Sequence, residues 1–232
     1  MPIGILADVI AVALGGLTGS FIGNKLNDSV KEKMTIALGV SAVAIGLVSI
    51  ILVSNLPVVV LAMIAGTAIG IAIRLGSLIE KGAFKLSNLF RGSHVSRQND
   101  FIATAIILFC ASGTGIYGAM IEGISGDSSV LVSKSILDFA TALIFACTAG
   151  PAVAAVAMPQ AVFLLLFFFL SKLAYPLISP SMINDFRSCG GLITFVTGLK
   201  VAKVKEFPIA DMLPAMVLVF FFSWGWTALF MH

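Results

Sequence analysis

Lys134 and Asp138 are the two charged residues whose positions point most clearly to chemistry. They lie four residues apart in an apolar segment, and residues 139–171 after them carry no charge. Side chains at i and i+4 share one face of a helix, so Lys134 is placed to pair with Asp138. A carboxylate within a membrane-spanning helix is costly unless it pairs, protonates or faces a polar cavity. The pair therefore predicts an ion site, with a structural contact between helices as the alternative.

Clusters of small residues form a second feature of interest. Glycine lets helices approach closely, and breaks rich in glycine and hydroxyl groups can expose backbone atoms that coordinate ions. Close packing alone is the alternative interpretation of each cluster. The clusters occupy residues 15–20, 112–115, 148–151 and 190–191.

Patterns of catalytic and metal-binding residues are missing from the sequence. The motifs HExxH, GxSxG and GxxxxGK[ST] do not occur. Cys110, Cys147 and Cys189 lie in apolar segments without CxxC spacing, which argues against a disulfide framework and a metal site. We therefore expect no enzyme activity, no cofactor and no nucleic-acid partner.

The composition requires that these residues be positioned by membrane-spanning helices. Hydrophobic residues make up 59% of the 232 residues and charged residues 11%, whereas soluble domains carry about 25% charged residues. Charges divide the chain into eight apolar segments of about the length that a spanning helix needs. We predict one all-α transmembrane domain over residues 1–232, with spans at 3–23, 34–53, 57–74, 101–121, 130–149, 153–175, 188–203 and 208–231.

The basic residues predict the orientation of these spans. With alternating spans and the N-terminus outside, eleven of the 14 Lys and Arg residues fall in cytoplasmic loops, as the positive-inside rule requires. Both termini are then outside the cytoplasm. The cytoplasmic loop 75–100 shows helical spacing of apolar residues, which is typical of a helix lying in the membrane interface. A solvated helix packed on the protein's own loops is the alternative.

A weak internal repeat suggests a transporter plan. An offset of 100 residues aligns residues 35–38 with 135–138, and the glycine-rich pattern near residue 15 recurs near 113 and 190. Units of three spans would be inserted in opposite directions, as in transporters with inverted repeats. We expect repeat-like units at about 1–75, 101–175 and 186–232, although glycine-rich helices also align by composition alone.

Three longer segments resemble a known family. ADVIAVALGGLTGSFIGNKL near the start, GAMIEGISGDSSVLVSKSILD in the middle and CGGLITFVTGLKVAKVKEFPIADMLPA near the end are similar to the YdfK/YqgA-like family of bacterial inner-membrane proteins, a domain of unknown function. The resemblance implies a polytopic inner-membrane protein and marks Glu122, Asp127, Lys134, Asp138 and Gly190-Gly191 as motif positions. By position alone Glu122, Asp127, Asp185 and Asp211 would be solvated residues at span ends.

The sequence thus predicts a transporter of a small ion or polar solute in the bacterial inner membrane. Its partners are the lipid bilayer, the ion or solute and, through its glycine-rich faces, a second copy in a homodimer. A scaffold or sensor that binds a partner through loop 75–100 is the alternative. The predicted ion or solute site comprises Asp138, Lys134, Glu122, Ser112, Gly113, Thr114, Gly190 and Gly191.

Overall fold

The computed structural model describes residues 2–22, 27–87, 102, 105–110, 112–174 and 178–230, and every regular element among them is a helix. The all-α class predicted from composition is confirmed. The helices are α1 Ile3–Ile22, α2 Asp28–Ile50, α3 Leu56–Ala72, α4 Leu75–Ser87, α5 Gly113–Ser125, α6 Ser129–Ala149, α7 Ala152–Ala155, α8 Ala157–Ala174, α9 Pro180–Val201, α10 Ile209–Met212 and α11 Pro214–Phe230. Residues 102 and 105–110 are also helical.

Six segments of the described chain are long and apolar enough to cross a membrane, and a seventh results if α3 and α4 form one span with a bend of 61°. Helix α9 has 22 residues, which at about 1.5 Å per residue is sufficient length, but its polar residues keep it out of this set. The polytopic bundle is confirmed, and the count of eight spans stays a prediction. The six segments are Ile3–Ile22, Ser29–Ile50, Ala105–Ser125, Ser129–Cys147, Ala152–Leu173 and Ile209–Leu229.

Helix α9 begins earlier than the sequence predicts. The predicted span starts at residue 188, whereas the helix starts at Pro180, where the Ser179 hydroxyl accepts a hydrogen bond from the Met182 N–H. Asp185 and Arg187 therefore belong to the helix, and their assignment to a connecting loop was wrong. The charge of Asp185 misled the prediction, because this side chain is buried and hydrogen-bonded within the bundle.

Contacts at glycines show the relative directions of the paired helices. Gly4 lies against Leu131 and Gly19 against Leu143, so α1 and α6 run parallel. Gly39 lies against Ala202 and Gly46 against Phe195, so α2 and α9 run antiparallel. In an alternating topology of eight crossings, the first and fifth spans point the same way and the second and seventh point opposite ways. Both pairs agree with that topology.

Helix α4 is amphipathic and follows the bend after α3. Ala83 is buried, whereas Leu78 and Phe84 are exposed. The predicted helical character of loop 75–100 is therefore present at Leu75–Ser87, and residues 88–100 lie outside the described part. An exposed apolar face on a helix that also carries lysines, here Lys81 and Lys85, is typical of a helix at the membrane interface.

Candidate functional site

Four buried side chains from α1, α6 and α8 form what we call the polar cluster: Asp8, Lys134, Asp138 and Gln160. Lys134 Nζ donates to Asp8 Oδ2 at 2.9 Å and also to Asp138 Oδ2. Gln160 Nε2 donates to the same two oxygens, at 2.8 Å and 3.2 Å. The predicted pairing of Lys134 with Asp138 is present, and the structure adds a second carboxylate and an amide.

Close packing of α1 against α6 brings the two carboxylates to one lysine. Gly15 and Gly19 of α1 lie against the backbone oxygens of Phe139 and Leu143 in α6. A side chain at either glycine would collide with that backbone, so small residues are required for this approach. Asp8, two to three turns earlier on α1, consequently faces Lys134.

The polar cluster lies deep within the helices that carry it. Asp138 is the tenth of the 21 residues of α6, or about 14 Å along a helix that rises about 1.5 Å per residue. Gln160 follows the start of α7 by eight residues, which is about 12 Å. Asp8 and Lys134 lie five residues after the starts of α1 and α6, which is about 8 Å, so the cluster occupies the first half of α1 and α6.

The charges and hydrogen bonds of the polar cluster are not balanced. Two carboxylates face one ammonium group, and the exposed fractions of Asp8, Lys134 and Gln160 are 0%, 3% and 0%. Asp8 Oδ1 and Gln160 Oε1 are buried without a hydrogen-bond partner. A buried site with an excess negative charge and unpaired oxygen acceptors attracts cations and protons and repels anions.

A cavity of about 590 Å³, which we call the vestibule, lies beside α6, and none of the four residues of the polar cluster lines it. Thr141 lines it and lies three residues after Asp138, so the two side chains are neighbours on one face of α6. Thr35, Ser112 and Thr197 also line the vestibule, together with Lys200 and Glu206. Its lining is mixed, because these hydroxyl and charged groups stand among apolar side chains such as Ile144 and Phe207.

A larger cavity of about 1650 Å³ lies between α4, α8 and α11 and has an almost wholly apolar lining. Phe163, Phe167, Met216 and Trp224 are typical of its walls. Such a surface offers few hydrogen-bonding groups to a polar solute, and its apolar side chains match lipid acyl chains. The vestibule is therefore the better path to the polar cluster.

The predicted residues at the start of α5 lie at a packed helix contact beside the vestibule. Ser112 is buried and lines the vestibule. Thr114 Oγ1 is 2.8 Å from Thr194 Oγ1 of α9, and Gly113 lies against Ile193. These contacts bind α5 to α9, and only Ser112 of the three faces a cavity.

Gly190 and Gly191 serve helix packing. Gly190 lies against the ring of Tyr117, and Gly191 lies against Gly46 and Ser49 of α2. Helix α9 runs unbroken through both glycines, so their backbone groups form helical hydrogen bonds. The structure does not bring these two glycines to the polar cluster.

Glu122 occupies a different place from the predicted ion site. Its side chain is buried, and its two carboxylate oxygens accept hydrogen bonds from Gly4 N at 2.7 Å and Ile5 N at 3.2 Å. A carboxylate at a helix N-terminus pairs free N–H groups and interacts favourably with the helix dipole. Glu122 therefore caps α1, and the expectation of a solvated residue at a span end was wrong.

Two other acidic residues cap helices in the same way. Asp185 Oδ1 accepts from Asn55 N at 2.6 Å, which fixes the start of α3. Its Oδ2 accepts from Ser223 Oγ of α11 at 2.7 Å. Asp211 Oδ1 accepts from Gly76 N at 2.7 Å at the start of α4. Asp185 is also buried, contrary to the expectation of solvation. Three of the acidic residues thus have structural roles.

We expect Glu122→Ala to lower the free energy of unfolding by about 1–3 kcal/mol, because two buried N–H groups of α1 lose their acceptor. Glu122→Gln keeps one acceptor oxygen and should lose less. Thermal unfolding of the purified variants in detergent measures both effects. Glu206→Gln is the control, since its side chain is 85% exposed. Equal melting temperatures for wild type and Glu122→Ala would contradict the capping role.

Asp8 and Gln160 are the cluster residues that sequence reasoning missed. Asp8 lies five residues after the start of the first predicted span, a position from which a side chain can reach water, and Gln160 carries no charge. Gln160 is nevertheless a lone amide in the apolar stretch 157–170. An isolated polar side chain at that depth is the sequence signal for such a residue.

Comparison with known proteins places the chain in a family. The model of the family described as "Protein of unknown function (DUF554)" matches residues 3–224. The chain belongs to this family. This confirms the resemblance drawn from the three sequence segments, and the match extends over nearly the whole bundle.

Two relatives of this DUF554 protein illustrate the range of similarity. The Uncharacterized protein YqgA of Escherichia coli (strain K12) is 41% identical over 235 residues, covering 99% of this chain and 100% of the relative. The Uncharacterized membrane protein YdfK of Bacillus subtilis (strain 168) is 24% identical over 223 residues, covering 93% of each chain. No solved structure matches significantly. The family and the apolar helices together identify a polytopic membrane protein.

Proposed function

We propose that this protein transports a small ion or a polar solute across the bacterial inner membrane, with the polar cluster as its binding site. The observation that carries the proposal is the buried cluster of Asp8, Lys134, Asp138 and Gln160, which has an excess negative charge and lies one helical turn from the vestibule. Binding there takes place between membrane-spanning helices, where transporters commonly hold their substrates.

Stability alone gives a poor reason for such a cluster. Replacing buried ionic groups with apolar residues of similar volume is often neutral or stabilising. Ionisable groups within membrane-spanning segments therefore usually mark ion or substrate paths. The unpaired atoms Asp8 Oδ1 and Gln160 Oε1 support the same interpretation, because they leave capacity for a ligand.

The vestibule supplies an approach from one side of the bundle. Lys200 and Glu206, which line it, form an ion pair at 2.9 Å. By the charge distribution of the loops this side is the cytoplasm, and both termini lie outside it. The inverted repeat also belongs to the proposal, because alternating access is commonly built on repeats. The homodimer belongs to it as well, because glycine-rich helix faces allow two copies to pack closely.

A scaffold or sensor is the competing proposal. Its best support is α4, whose exposed Leu78 and Phe84 offer an apolar face next to Lys81 and Lys85. The same face also suits the membrane interface. Such a protein would need neither a hydrated vestibule nor a ligand at the polar cluster, so the two proposals differ in measurable ways.

A thermal-shift screen tests the transport proposal. Purified wild-type protein in mild detergent is heated with NaCl, KCl or sodium salts of amino acids and small organic acids, and over a range of pH. A ligand that binds the folded state raises the melting temperature. We expect at least one condition to do so in wild type and not in Asp138→Asn. Equal responses of the two proteins under every condition would favour the scaffold.

A pair of cysteine variants tests whether water reaches the polar cluster. Thr141 lines the vestibule, whereas the next residue, Ala142, is 0% exposed. In a background without the three native cysteines, Thr141→Cys should react with a water-soluble thiol reagent and Ala142→Cys should not. Equal protection of both positions would indicate a dry centre and contradict the proposed path.

A further inference from the structure

Two acceptors of the polar cluster have no hydrogen-bond donor. Asp8 Oδ1 and Gln160 Oε1 are both buried acceptors without a partner. The donors Lys134 Nζ and Gln160 Nε2 are directed at other atoms, Asp8 Oδ2 and Asp138 Oδ2. Buried polar atoms in folded proteins nearly always have a partner, so two unpaired acceptors on adjoining residues require an explanation.

We propose that the missing donor is a proton bound to Asp8 Oδ1 and shared with Gln160 Oε1. A carboxylic acid and a primary amide are complementary, because the acid O–H donates to the amide oxygen while the amide N–H donates to the other acid oxygen. Gln160 Nε2 already donates to Asp8 Oδ2 at 2.8 Å. One O–H bond at Asp8 Oδ1 would complete the pair and satisfy both orphan atoms.

The charge of the polar cluster favours the same assignment. Asp8 and Asp138 contribute two negative charges, and Lys134 contributes one positive charge. Lys134, which both carboxylates share, can balance only one of them, and a buried carboxyl group left without a counter-ion generally becomes neutral by taking up a proton. Binding forms one O–H bond on Asp8, release breaks that bond and returns the proton to water, and no other bond changes.

A metal cation suits the polar cluster less well than a proton. Lys134 Nζ donates to both Asp8 Oδ2 and Asp138 Oδ2, so a metal ion drawn to this pair would meet an ammonium group and be repelled. Among the described residues, no group of three His, Cys, Asp or Glu side chains is placed to hold a metal ion. A proton adds to an oxygen that the lysine leaves free.

Asp138 is the more exposed of the two carboxylates. Its side chain is 12% exposed, whereas those of Asp8 and Lys134 are 0% and 3% exposed. Two of the titratable groups on neighbouring elements lie nearest to the cluster in their interactions. The Cys110 thiol interacts electrostatically with Lys134 and Asp138, and Glu122 has its oxygens occupied by the N-terminus of α1. Neither supplies a charge that would replace the proton.

The inference rests on the proposed function only for its biological meaning, because proton binding can be measured without transport. Infrared difference spectra of wild-type protein in lipid nanodiscs, recorded between low and high pH, should contain the C=O band of a buried carboxylic acid. We expect this band to be lost in Asp8→Asn and kept in Glu206→Gln. In Gln160→Leu it should shift to higher frequency, because the acid carbonyl loses its amide donor.

Three results would overturn the proton assignment. They are the absence of the band in wild type, its persistence unchanged in Asp8→Asn, and its removal by NaCl at constant pH, which would make Na⁺ the ligand. If Asp8→Asn fails to fold, the band shift in Gln160→Leu decides alone, and an unshifted band contradicts the pairing. A normal band in a protein that shows no ligand-dependent stabilisation would contradict transport and leave the proton site standing.

Discussion

Replacing Lys134 with methionine is expected to lower the free energy of unfolding by about 3–5 kcal/mol, the cost of removing one partner from a buried ion pair. Lys134 is 3% exposed and donates to both Asp8 and Asp138. Its loss leaves two buried carboxylates without a cation. Thermal or denaturant unfolding of purified wild-type and variant protein in the same detergent measures the difference.

Removing the two carboxylates as well tests whether unpaired charge causes the loss of stability. Combining Lys134→Met with Asp8→Asn and Asp138→Asn removes all three charges, so most of the lost stability should return. Lys200→Met is the control, since Lys200 is 42% exposed in its pair with Glu206 and such surface pairs are worth about 0–1 kcal/mol. If the triple variant is as unstable as Lys134→Met alone, lost packing, and not unpaired charge, explains the effect.

The bundle could be predicted from the sequence because its determinants are local. Each spanning helix needs about 20 apolar residues in succession, and such segments can be read directly from the chain. The start of α9 was wrongly predicted because charge is buried there. Asp185 and Arg187 looked like loop residues, yet they lie in α9, because hydrogen bonds from Asn55 and Ser223 allow the Asp185 carboxylate to remain inside.

Only two of the four residues of the polar cluster could be predicted from the sequence, because the other two lie on different helices. Lys134 and Asp138 are four residues apart, so helical geometry alone predicts their contact. Asp8 is 126 residues from Lys134, and Gln160 is 22 residues from Asp138. These contacts depend on how α1, α6 and α8 pack, and glycines indicate that two helices approach without indicating which two. Gly15 and Gly19 therefore predicted a close contact but did not identify α6 as the partner.

The same limitation applies to the other residues that were predicted to bind the ion or solute. A glycine pair in a membrane helix can break the helix or permit close packing, and composition does not distinguish these outcomes. Gly190 and Gly191 are packing residues because Tyr117 and the backbone of α2 lie against them. Glu122 similarly has a carboxylate suited to cations, but the N-terminus of α1 already occupies it.

Replacing Asp138 with asparagine is expected to abolish ligand-dependent stabilisation or flux while leaving folding near normal. Asparagine keeps an oxygen that can accept from Lys134 Nζ and Gln160 Nε2, so the hydrogen bonds of the polar cluster survive. The remaining charges, Asp8 and Lys134, balance each other. The cluster then loses the excess negative charge that attracts a cation or proton, and this loss affects binding more than stability.

Alanine at position 138 separates a role in ligand binding from a role in stability. Asp138→Ala removes the acceptor as well as the charge, which leaves donors of Lys134 and Gln160 partly unpaired and should cost about 1–3 kcal/mol of stability. Melting temperatures with and without the stabilising ligand distinguish the variants, because a binding role predicts that both lose the ligand response and only alanine loses stability. An asparagine variant that unfolds as readily as the alanine variant, while its folded fraction still responds to ligand, would make Asp138 a structural residue.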